Sequence, residues 1–453
     1  MGIRLDWEIE AEQEQFENGR EDPEARRQRR RAQLRFFLVV LAFTVLIGGV
    51  VGAAALRLRF VDWQMEQLLR DTVSAEIAAL RIGDETAFMS MQRSASDIWM
   101  ADQRGEFEAY QTLKTQANTA FTGEITGVVI DRSRARVQVR EIIGGVAYER
   151  LWFYWQYSDG WRHVPPDTTF WGETRTLESD AVRVTYSDAD AATAQQVFDR
   201  LQAWLQTGCG ILPCGTIPQI TVEIIPDSLL QPGWLNPSSW SVRLPSPLLD
   251  RRRVDSPFDP PAQLVIANGL AERLFAVATS SMEMMYPADA YYLKQAVISW
   301  FAGRFAGTQT NSFLIDSFVG SYGEAALGEF VRQLQPNSSI TLFASLANVP
   351  TVADVNVDWR DYLTWRLALE GELITRHAQN EFQVLYDLSD PTARDLATVR
   401  YVNAVTSQGW VVTNITRVTD GTGAPLLQAT VQGAAPDQVV NFRLADGVWK
   451  RAN

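Results

Sequence analysis

Apolar positions form one uninterrupted run near the N-terminus of this chain of 453 residues. The run covers Phe36 to Leu56 without a charged residue. At about 1.5 Å per helical residue it is long enough to cross the ~30 Å hydrocarbon core of a bilayer. An arginine cluster precedes it, consisting of Arg26, Arg27, Arg29, Arg30, Arg31 and Arg35. The pattern predicts a transmembrane helix over 36–56, with a cytoplasmic N-terminus and the remaining chain outside the cell membrane.

A cleaved signal peptide is the alternative interpretation of this run. Signal peptides have a short basic segment, an apolar core of about 7–15 residues and a cleavage site of small residues. Here the preceding segment is long and starts with acidic residues, and the apolar core is longer. The sequence therefore favours an uncleaved single-pass anchor, preceded by a disordered cytoplasmic tail over 1–35.

Two later segments share one order of patterns, with helices first and antiparallel strands second. In residues 60–165, apolar residues recur at helical spacing before strand-like alternation begins near Arg134. In residues 358–453, helical patterns from Trp359 to Ala397 precede three strand patterns. Each segment ends in a predicted hairpin with an Asp-Gly turn, Asp159–Gly160 in the first and Asp446–Gly447 in the second.

This shared order resembles the NTF2-like family of cone-shaped α+β domains. The resemblance covers both segments and rests on pattern, because neither segment carries a signature motif. It implies a curved sheet packed on helices, in a fold whose members hold small ligands, catalytic sites or neither. Four aromatic residues of the first segment are expected in sheet-on-helix packing, with a pocket lining as the alternative: Trp152, Tyr154, Trp155 and Tyr157.

Residues 178–355 follow a different pattern, in which strand, helix and strand precede a proline-rich loop from Pro226 to Pro261 and several amphipathic helices. This order is similar to that of the peptidase-MA-like domain of the gluzincin zinc peptidases. The active helix of that family carries HExxH, two histidine ligands one turn apart with a glutamate between them as general base. A second helix supplies the third zinc ligand.

The residues that this chemistry requires are replaced here. In VIANGLAERLF, Asn268 stands at the first His position, Gly269 at the Glu position and Glu272 at the second His position. In YYLKQAVISWFAGRF, Gln295 stands at the position of the third ligand. A catalytic zinc site needs three strong donors and an open water position. The resemblance therefore implies a pseudopeptidase without catalytic residues, metal or other cofactor, whose cleft could bind a protein or peptide ligand.

Charge limits the classes of partner. The formal net charge is −13, nearly all of it after the arginine cluster, which argues against nucleic acid and anionic lipid surfaces as partners. The one basic run in this part, Arg251 to Arg253, is predicted to be a solvated loop. The two histidines, His163 and His377, are expected at the surface or as capping residues rather than as metal ligands.

The two cysteines, Cys209 and Cys214, lie in TGCGILPCG. In an oxidising exterior this pair is expected to form a local disulfide that pins a loop. Half of a zinc site is the alternative, although the chain has no further cysteine.

The predicted architecture is an α+β multidomain protein with one N-terminal transmembrane helix. A zincin-like middle domain lies between two NTF2-like domains. The predicted function is noncatalytic binding or scaffolding at the cell envelope. A hydrolase with a rebuilt or relocated active site is the alternative, because the 54 acidic residues allow pairs of carboxylates that a sequence cannot locate.

Overall fold

A computed structural model describes residues 23–309, 312–421, 423–433 and 438–452. Helix α1 (Pro23–Ile82) is unbroken over 60 residues. Residues 27–64 of α1 are exposed, whereas Leu69, Val73 and Ile77 are buried. One helix thus joins an apolar stretch that could span a membrane to an amphipathic end that packs against the first sheet.

The arginine cluster lies inside α1, since the helix already begins at Pro23. The sequence predicted a disordered tail as far as residue 35. Ala, Arg, Gln and Leu are good helix formers, and proline is well tolerated in the first turn of a helix. The predicted tail over residues 1–22 lies outside the described residues.

The first sheet follows two short helices, α2 (Glu85–Met91) and α3 (Asp97–Leu113). Its strands form an antiparallel meander of β1 (Ala120–Asp131), β2 (Arg134–Ile143), β3 (Val146–Tyr157) and β4 (Gly160–Val164). The alternation predicted in β2 is confirmed, because Ala135, Val137 and Val139 are buried while their neighbours are not. The predicted Asp159–Gly160 turn joins β3 to β4.

The second sheet is mixed. Its order is β5-β6-β7-β9-β8, with β6, β7 and β9 parallel and the two outer strands antiparallel. The strands are β5 (Thr174–Glu178), β6 (Val182–Ser187), β7 (Ile220–Ile225), β8 (Gly233–Trp234) and β9 (Ser241–Pro245). Helix α4 (Ala191–Ile211) connects β6 to β7, which confirms the predicted strand, helix and strand. The proline-rich stretch is therefore not wholly loop, because it contains β8 and β9.

Helices then cover this sheet. They are α5 (Pro260–Ala278), α6 (Asp289–Ala306), α7 (Phe313–Tyr322), α8 (Glu324–Gln333) and α9 (Thr341–Ala347). Helices α5 and α6 pack side by side. The mostly buried residues of α5 and α6, including Leu270, Leu293 and Val297, explain why both helices form inside the core rather than at its surface.

The third sheet repeats the order of the first. Helices α10 (Arg360–Thr375), α11 (Gln379–Val384) and α12 (Pro391–Val402) come first. An antiparallel meander follows, made of β11 (Val411–Thr419), β12 (Pro425–Gln432), β13 (Gln438–Ala445) and β14 (Val448–Arg451). The predicted strands and the Asp446–Gly447 turn are confirmed.

The first and third sheets also share an interior arrangement. Glu76 of α1 accepts a hydrogen bond from the side chain of Gln92, and Glu370 of α10 accepts one from the side chain of Tyr386. In both segments the donor lies sixteen residues after the buried glutamate. That later residue forms an isolated parallel bridge with a basic residue of the last strand, His163 or Arg451. In each case the next backbone N–H donates to the carbonyl of the basic residue, at 2.8 Å and 2.9 Å. The two segments therefore share one arrangement of interior contacts.

The largest hydrophobic core runs without a break from the second sheet to the third. It includes Val184 and Ile220 of the second sheet, Phe330 between the sheets, and Phe442 and Trp449 of the third. A separate core lies between α1 and the first sheet. The second and third sheets therefore behave as one packed body, to which the first sheet is attached.

Arg251 to Arg253 make this attachment, and the prediction of a solvated loop is wrong. Strand β10 (Arg252–Arg253) pairs with β3 of the first sheet. Arg252 is buried and its Nη2 lies 2.6 Å from Glu149, while Nε of Arg251 lies 2.6 Å from Glu141. Carboxylates on the first sheet supply the counter-charges, so Arg252 can be buried and Arg251 half-buried.

Cys209 and Cys214 form a disulfide with a Cα–Cα distance of 5.2 Å, as predicted. It connects the last turn of α4 to the loop that follows. Gly208, beside it, lies so close to Leu274 of α5 that a Cβ would be 2.5 Å from Leu274 Cδ1. The disulfide thus holds the end of α4 where it packs on α5.

Candidate functional site

The α5–α6 pair contains all four positions that the sequence singled out. Asn268, Gly269 and Glu272 lie on α5, and Gln295 lies on α6. Three of them are exposed, whereas Gly269 is buried. Asn268 Nδ2 donates to Glu272 Oε1 at 3.2 Å, one helical turn along. Glu272 and Gln295 line one cleft together, whereas Asn268 faces a neighbouring depression lined also by Leu264 and Ser299.

Trp234 of β8 fills the space over Gly269. A Cβ at position 269 would lie 2.3 Å from two atoms of the Trp234 ring, Cδ1 and Nε1. The same ring nitrogen donates to the carbonyl of Ile266 at 3.2 Å. The position that the zinc-peptidase resemblance assigns to the general base is therefore a contact between a glycine and an indole ring, and any larger side chain would displace the ring.

Arg273 fixes this arrangement. Its guanidinium carbon lies 3.8 Å from the centre of the Trp234 ring. It donates to the carbonyls of Gly269, Asn236 and Ser239, each at 2.7 Å. These three bonds hold the loop after β8 against α5. Neither Trp234 nor Arg273 was predicted from the sequence. The sequence feature that could have indicated their contact is a Gly-Trp pair in the proline-rich stretch, together with a glycine inside a helix.

The cleft beside this contact has a volume of about 510 Å³. Its lining combines one carboxylate, two cations, an amide, hydroxyls and an indole ring: Glu272, Arg273, Lys294, Gln295, Ser238 and Trp240. Burial lowers the pKa of Arg273, and the nearby Glu272 opposes that effect. An open cleft with both signs of charge and an aromatic wall suits a polar, peptide-like ligand.

The residues at these positions do not fit a catalytic zinc ion. Asn268 and Gln295 offer amide oxygens, and Glu272 is the single carboxylate among the four. Arg273 and Lys294 bring positive charge to the same cleft. Within residues 23–452, apart from the undescribed gaps, no group of three or more His, Cys, Asp and Glu side chains could hold a metal ion.

His163 is not a surface or capping residue, so that prediction is wrong. It is buried on β4, where its Nδ1 lies 2.7 Å from Oε1 of Glu76. Gln92 and Tyr154 donate to the same carboxylate, each at 2.7 Å. Burial would raise the pKa of Glu76, but His163 and these bonds outweigh it and hold that pKa below its usual range. The carboxylate on α1 is what allows a histidine inside this core.

The other singled-out residues of these segments follow from the same packing. Trp152 and Tyr154 are buried, as expected for sheet-on-helix packing, while Trp155 on the opposite face is 48% exposed. His377 is exposed just after α10, in a left-handed conformation, and its N–H donates to the Ile374 carbonyl. His377 is therefore a surface residue at a helix end.

In the third sheet, Glu370 takes the place of Glu76. It accepts from the Tyr386 hydroxyl at 2.9 Å and from Ser407 at 2.8 Å. Arg400 Nη2 lies 3.0 Å from its second oxygen, and Arg451 Nη1 lies 2.8 Å from its first. All these groups are buried, so the cluster joins α10, α12 and β14 through charge-assisted bonds.

Three further carboxyls have raised pKa values, which would favour a relocated active site if they shared a pocket. Burial raises the pKa of Asp361 to about 6, and it also raises the pKa of Asp289 and Asp190. Asp289 accepts from the Tyr362 hydroxyl at 3.1 Å, and Asp361 accepts from the Leu314 N–H at 3.2 Å. These bonds tie helices together, and the three carboxyls lie apart from the α5–α6 cleft.

A larger and more open cleft of about 650 Å³ lies between α7 and β11. Its charged residues are engaged with their own surroundings. Arg417 donates to the carbonyls of Val355 and Val357, and Asp358 pairs with Arg360 at 2.7 Å. This cleft offers a hydrated surface without a charged group aimed at a ligand.

Comparison with known proteins adds no identification. No protein-family model matches the chain, and neither a curated protein nor a solved structure matches it.

Proposed function

We propose that this protein is a membrane-anchored, extracytoplasmic binding protein whose central region has the helix pair of a zinc peptidase without its catalytic residues. The contact between Trp234 and Gly269 carries this proposal. If the resemblance holds, an indole ring lies where a zinc peptidase has its general base, and Arg273 bonds the covering loop in place. On this interpretation the first and third sheets belong to NTF2-like modules. The arrangement of interior contacts that they share supports this interpretation.

The proposed ligand of the α5–α6 cleft is a peptide or a protein segment. Lys294 and Glu272 offer complementary charges, and Trp240 offers an apolar wall. Gln295 is exposed on the same cleft and can both donate and accept a hydrogen bond, as a peptide main chain requires. This combination fixes the orientation of an extended polar chain better than that of an apolar small molecule.

The proposed location follows from α1 and the disulfide. The apolar part of α1 is exposed and long enough to cross a bilayer. Arginines are concentrated before it, which favours a cytoplasmic N-terminus. A disulfide is typical of an oxidising compartment.

Protease added to intact cells should remove the C-terminal body and leave the N-terminal tail protected.

Selection of peptides from a random phage-displayed library on the purified full-length protein tests the proposed binding. Selected peptides should lose at least about tenfold in affinity for Lys294→Glu and for Trp240→Ala, since each removes a contact in the cleft. Lys114→Glu is the matched control, because it makes the same change of charge at an exposed site directly after α3. Equal affinity for all four proteins would exclude the cleft as the binding site.

A hydrolase remains the alternative function. It would require a catalytic pair outside the α5–α6 cleft, and the raised-pKa carboxyls Asp190, Asp289 and Asp361 are the groups to test. Each is engaged in bonds that join elements of the fold, which supports a structural role over a catalytic one.

A further inference from the structure

The first sheet has one end that faces the apolar run of α1. This anchor-facing end consists of the β1–β2 turn (residues 131–134), the β3–β4 turn (157–160) and residues 57–63 of α1. Gln156, just before the second turn, donates to Sδ of Met65 at 3.2 Å. Its N–H donates to the Ser133 carbonyl at 2.7 Å, which brings the two turns together.

The contacts along α1 set the direction of the strands. Arg81, near the far end of α1, donates to the carbonyl of Phe121 at the start of β1 at 2.9 Å. Gly123 packs against Ile77, one turn closer to the apolar run. Strand β1 therefore begins at the far end of α1 and runs back toward the anchor. Strand β3 runs in the same direction, because Tyr154 contacts Glu76 and Gln156, two residues later, contacts Met65.

These contacts give the height of the turns above the bilayer. Ile77 lies about 31 Å along the helix from Leu56, at 1.5 Å per residue. From Gly123, β1 can return at most about 26 Å to Asp131, at about 3.3 Å per residue. The β1–β2 turn can therefore come at closest to about 5 Å from the level of Leu56. The headgroup region adds about 5–7 Å to each side of the hydrocarbon core.

The side chains at this end suit a lipid headgroup layer. Phe60 and Trp63 are 59% and 56% exposed, and their ring centres are 6.0 Å apart. Trp155 beside the turns is 48% exposed. Tryptophan is enriched where an apolar ring can sit at the level of the headgroups.

The charge of this end is opposite to that of the whole chain. Six arginines lie in these ranges or pair with an aspartate in them, namely Arg57, Arg59, Arg93, Arg132, Arg134 and Arg162. Four aspartates offset them, namely Asp62, Asp131 and Asp159 in the same ranges and Asp167, which pairs with Arg134. The local net charge is +2, against −13 for the chain. Among the described residues, Arg57, Arg59 and Arg132 make no ion pair, so they are available to anionic headgroups.

We propose that the anchor-facing end of the first sheet rests on anionic lipid headgroups at the outer face of the membrane. The proposal rests on the membrane anchor of the proposed function, but not on the α5–α6 cleft. It refines the expectation from overall charge, since an acidic protein can present a basic, aromatic end to the membrane when its anchor fixes which end that is. The contact would hold the body in one orientation.

A spin label at Ser133→Cys in the full-length protein tests this contact. Ser133 is exposed in the β1–β2 turn, and the change leaves every arginine in place. Ala117→Cys, exposed in the loop before β1 at the far end, is the matched control. In vesicles of phosphatidylcholine with phosphatidylglycerol, accessibility to a water-soluble relaxation agent should be at least about twofold lower at residue 133 than at 117. Arg132→Glu should reduce this difference, and so should high salt.

Equal accessibility at the two labels would overturn the proposal. An alkaline carbonate wash separates this failure from failure of the anchor. Protein that stays in the vesicles with an aqueous label at residue 133 retains the anchor and contradicts the headgroup contact. Protein that washes off contradicts the anchor, and with it both proposals.

Discussion

Glu370 shows how single residues hold the third sheet together, because a buried carboxylate there balances two buried arginines. Its oxygens bond Arg400, Arg451, Tyr386 and Ser407. Such a cluster adds little over a well-packed apolar core, yet it is costly to break, since each remaining charge would be left buried without a partner. Glu76 and His163 fill the same role in the first sheet.

Replacing this carboxylate tests that role. Glu370→Gln keeps the size of the side chain and removes its charge, so we expect a loss of about 3–5 kcal/mol in the free energy of unfolding. Glu372→Gln is the control, because Glu372 lies on the same helix with its side chain 48% exposed. Urea unfolding followed by tryptophan fluorescence measures both. Equal, small effects would mean that the buried cluster does not stabilise the fold.

Asp361 makes the stability depend on pH in a defined direction. Burial raises its pKa to about 6 in the folded protein, above about 3.9 for an unfolded aspartate. Between these values the folded state binds more protons, so this residue's contribution to stability is complete below about pH 4 and lost as the pH rises through 6. Asp361→Asn should flatten the dependence of the unfolding midpoint on pH in this window.

The control for this measurement is Asp395→Asn, on an exposed position of α12. It should leave the pH dependence of the wild-type protein unchanged. A slope that is the same in wild type and Asp361→Asn would show that Asp361 titrates alike in the folded and unfolded states.

Among the elements, the short edge strand β8 covers one position of the α5–α6 pair. Two residues, Gly233 and Trp234, form this strand. Its tryptophan is seated on a glycine of α5, and Arg273 holds the following loop by main-chain carbonyls. A strand of this length has little stability of its own, so the contact with α5 is what positions it.

A double-mutant cycle tests this contact through a change of sign. Gly269→Ala should destabilise the wild-type protein by about 1–3 kcal/mol, because its Cβ would overlap the Trp234 ring. In a Trp234→Ala background the same change should stabilise by up to about 1 kcal/mol, since alanine favours a helix over glycine. Thermal unfolding of the four proteins measures the coupling. Stabilisation in both backgrounds would show that Trp234 does not cover Gly269.

The sequence predicted the regular elements well because their patterns are local. Alternation in β2, the two Asp-Gly hairpins, the helices of VIANGLAERLF and YYLKQAVISWFAGRF, and the Cys209–Cys214 disulfide all depend on neighbouring residues. The predictions that were wrong depended on distant partners. Arg252 is buried because Glu149 lies opposite it, and His163 is buried because Glu76 does.

The packing of Trp234 on Gly269 could not be predicted from the sequence for the same reason. Trp234 and Gly269 are far apart in the chain, and the loop that carries Trp234 has no helical or strand period to place it. Glu272 and Gln295 line one cleft, whereas Asn268 faces a neighbouring depression. Periodicity could place these residues on helices but could not show which of them share a cleft.

At the scale of the whole molecule, the chain is a body carried on one continuous helix. The first sheet packs on the end of α1, strand β10 fastens the second sheet to the first, and one core joins the second sheet to the third. These contacts connect the α5–α6 cleft to α1 through packed elements.

The zinc content and the peptidase activity of the purified protein, measured together, test the proposal that the α5–α6 pair binds a ligand without catalysing a reaction. Full-length protein purified in detergent would be analysed for zinc and assayed on a peptide library with added zinc, beside Glu272→Ala. We expect far less than one zinc per chain and no measurable hydrolysis by either protein, since the positions that the zinc-peptidase resemblance assigns to the base and to two ligands hold Gly269, Asn268 and Gln295. One zinc per chain, or cleavage that Glu272→Ala abolishes, would contradict the account.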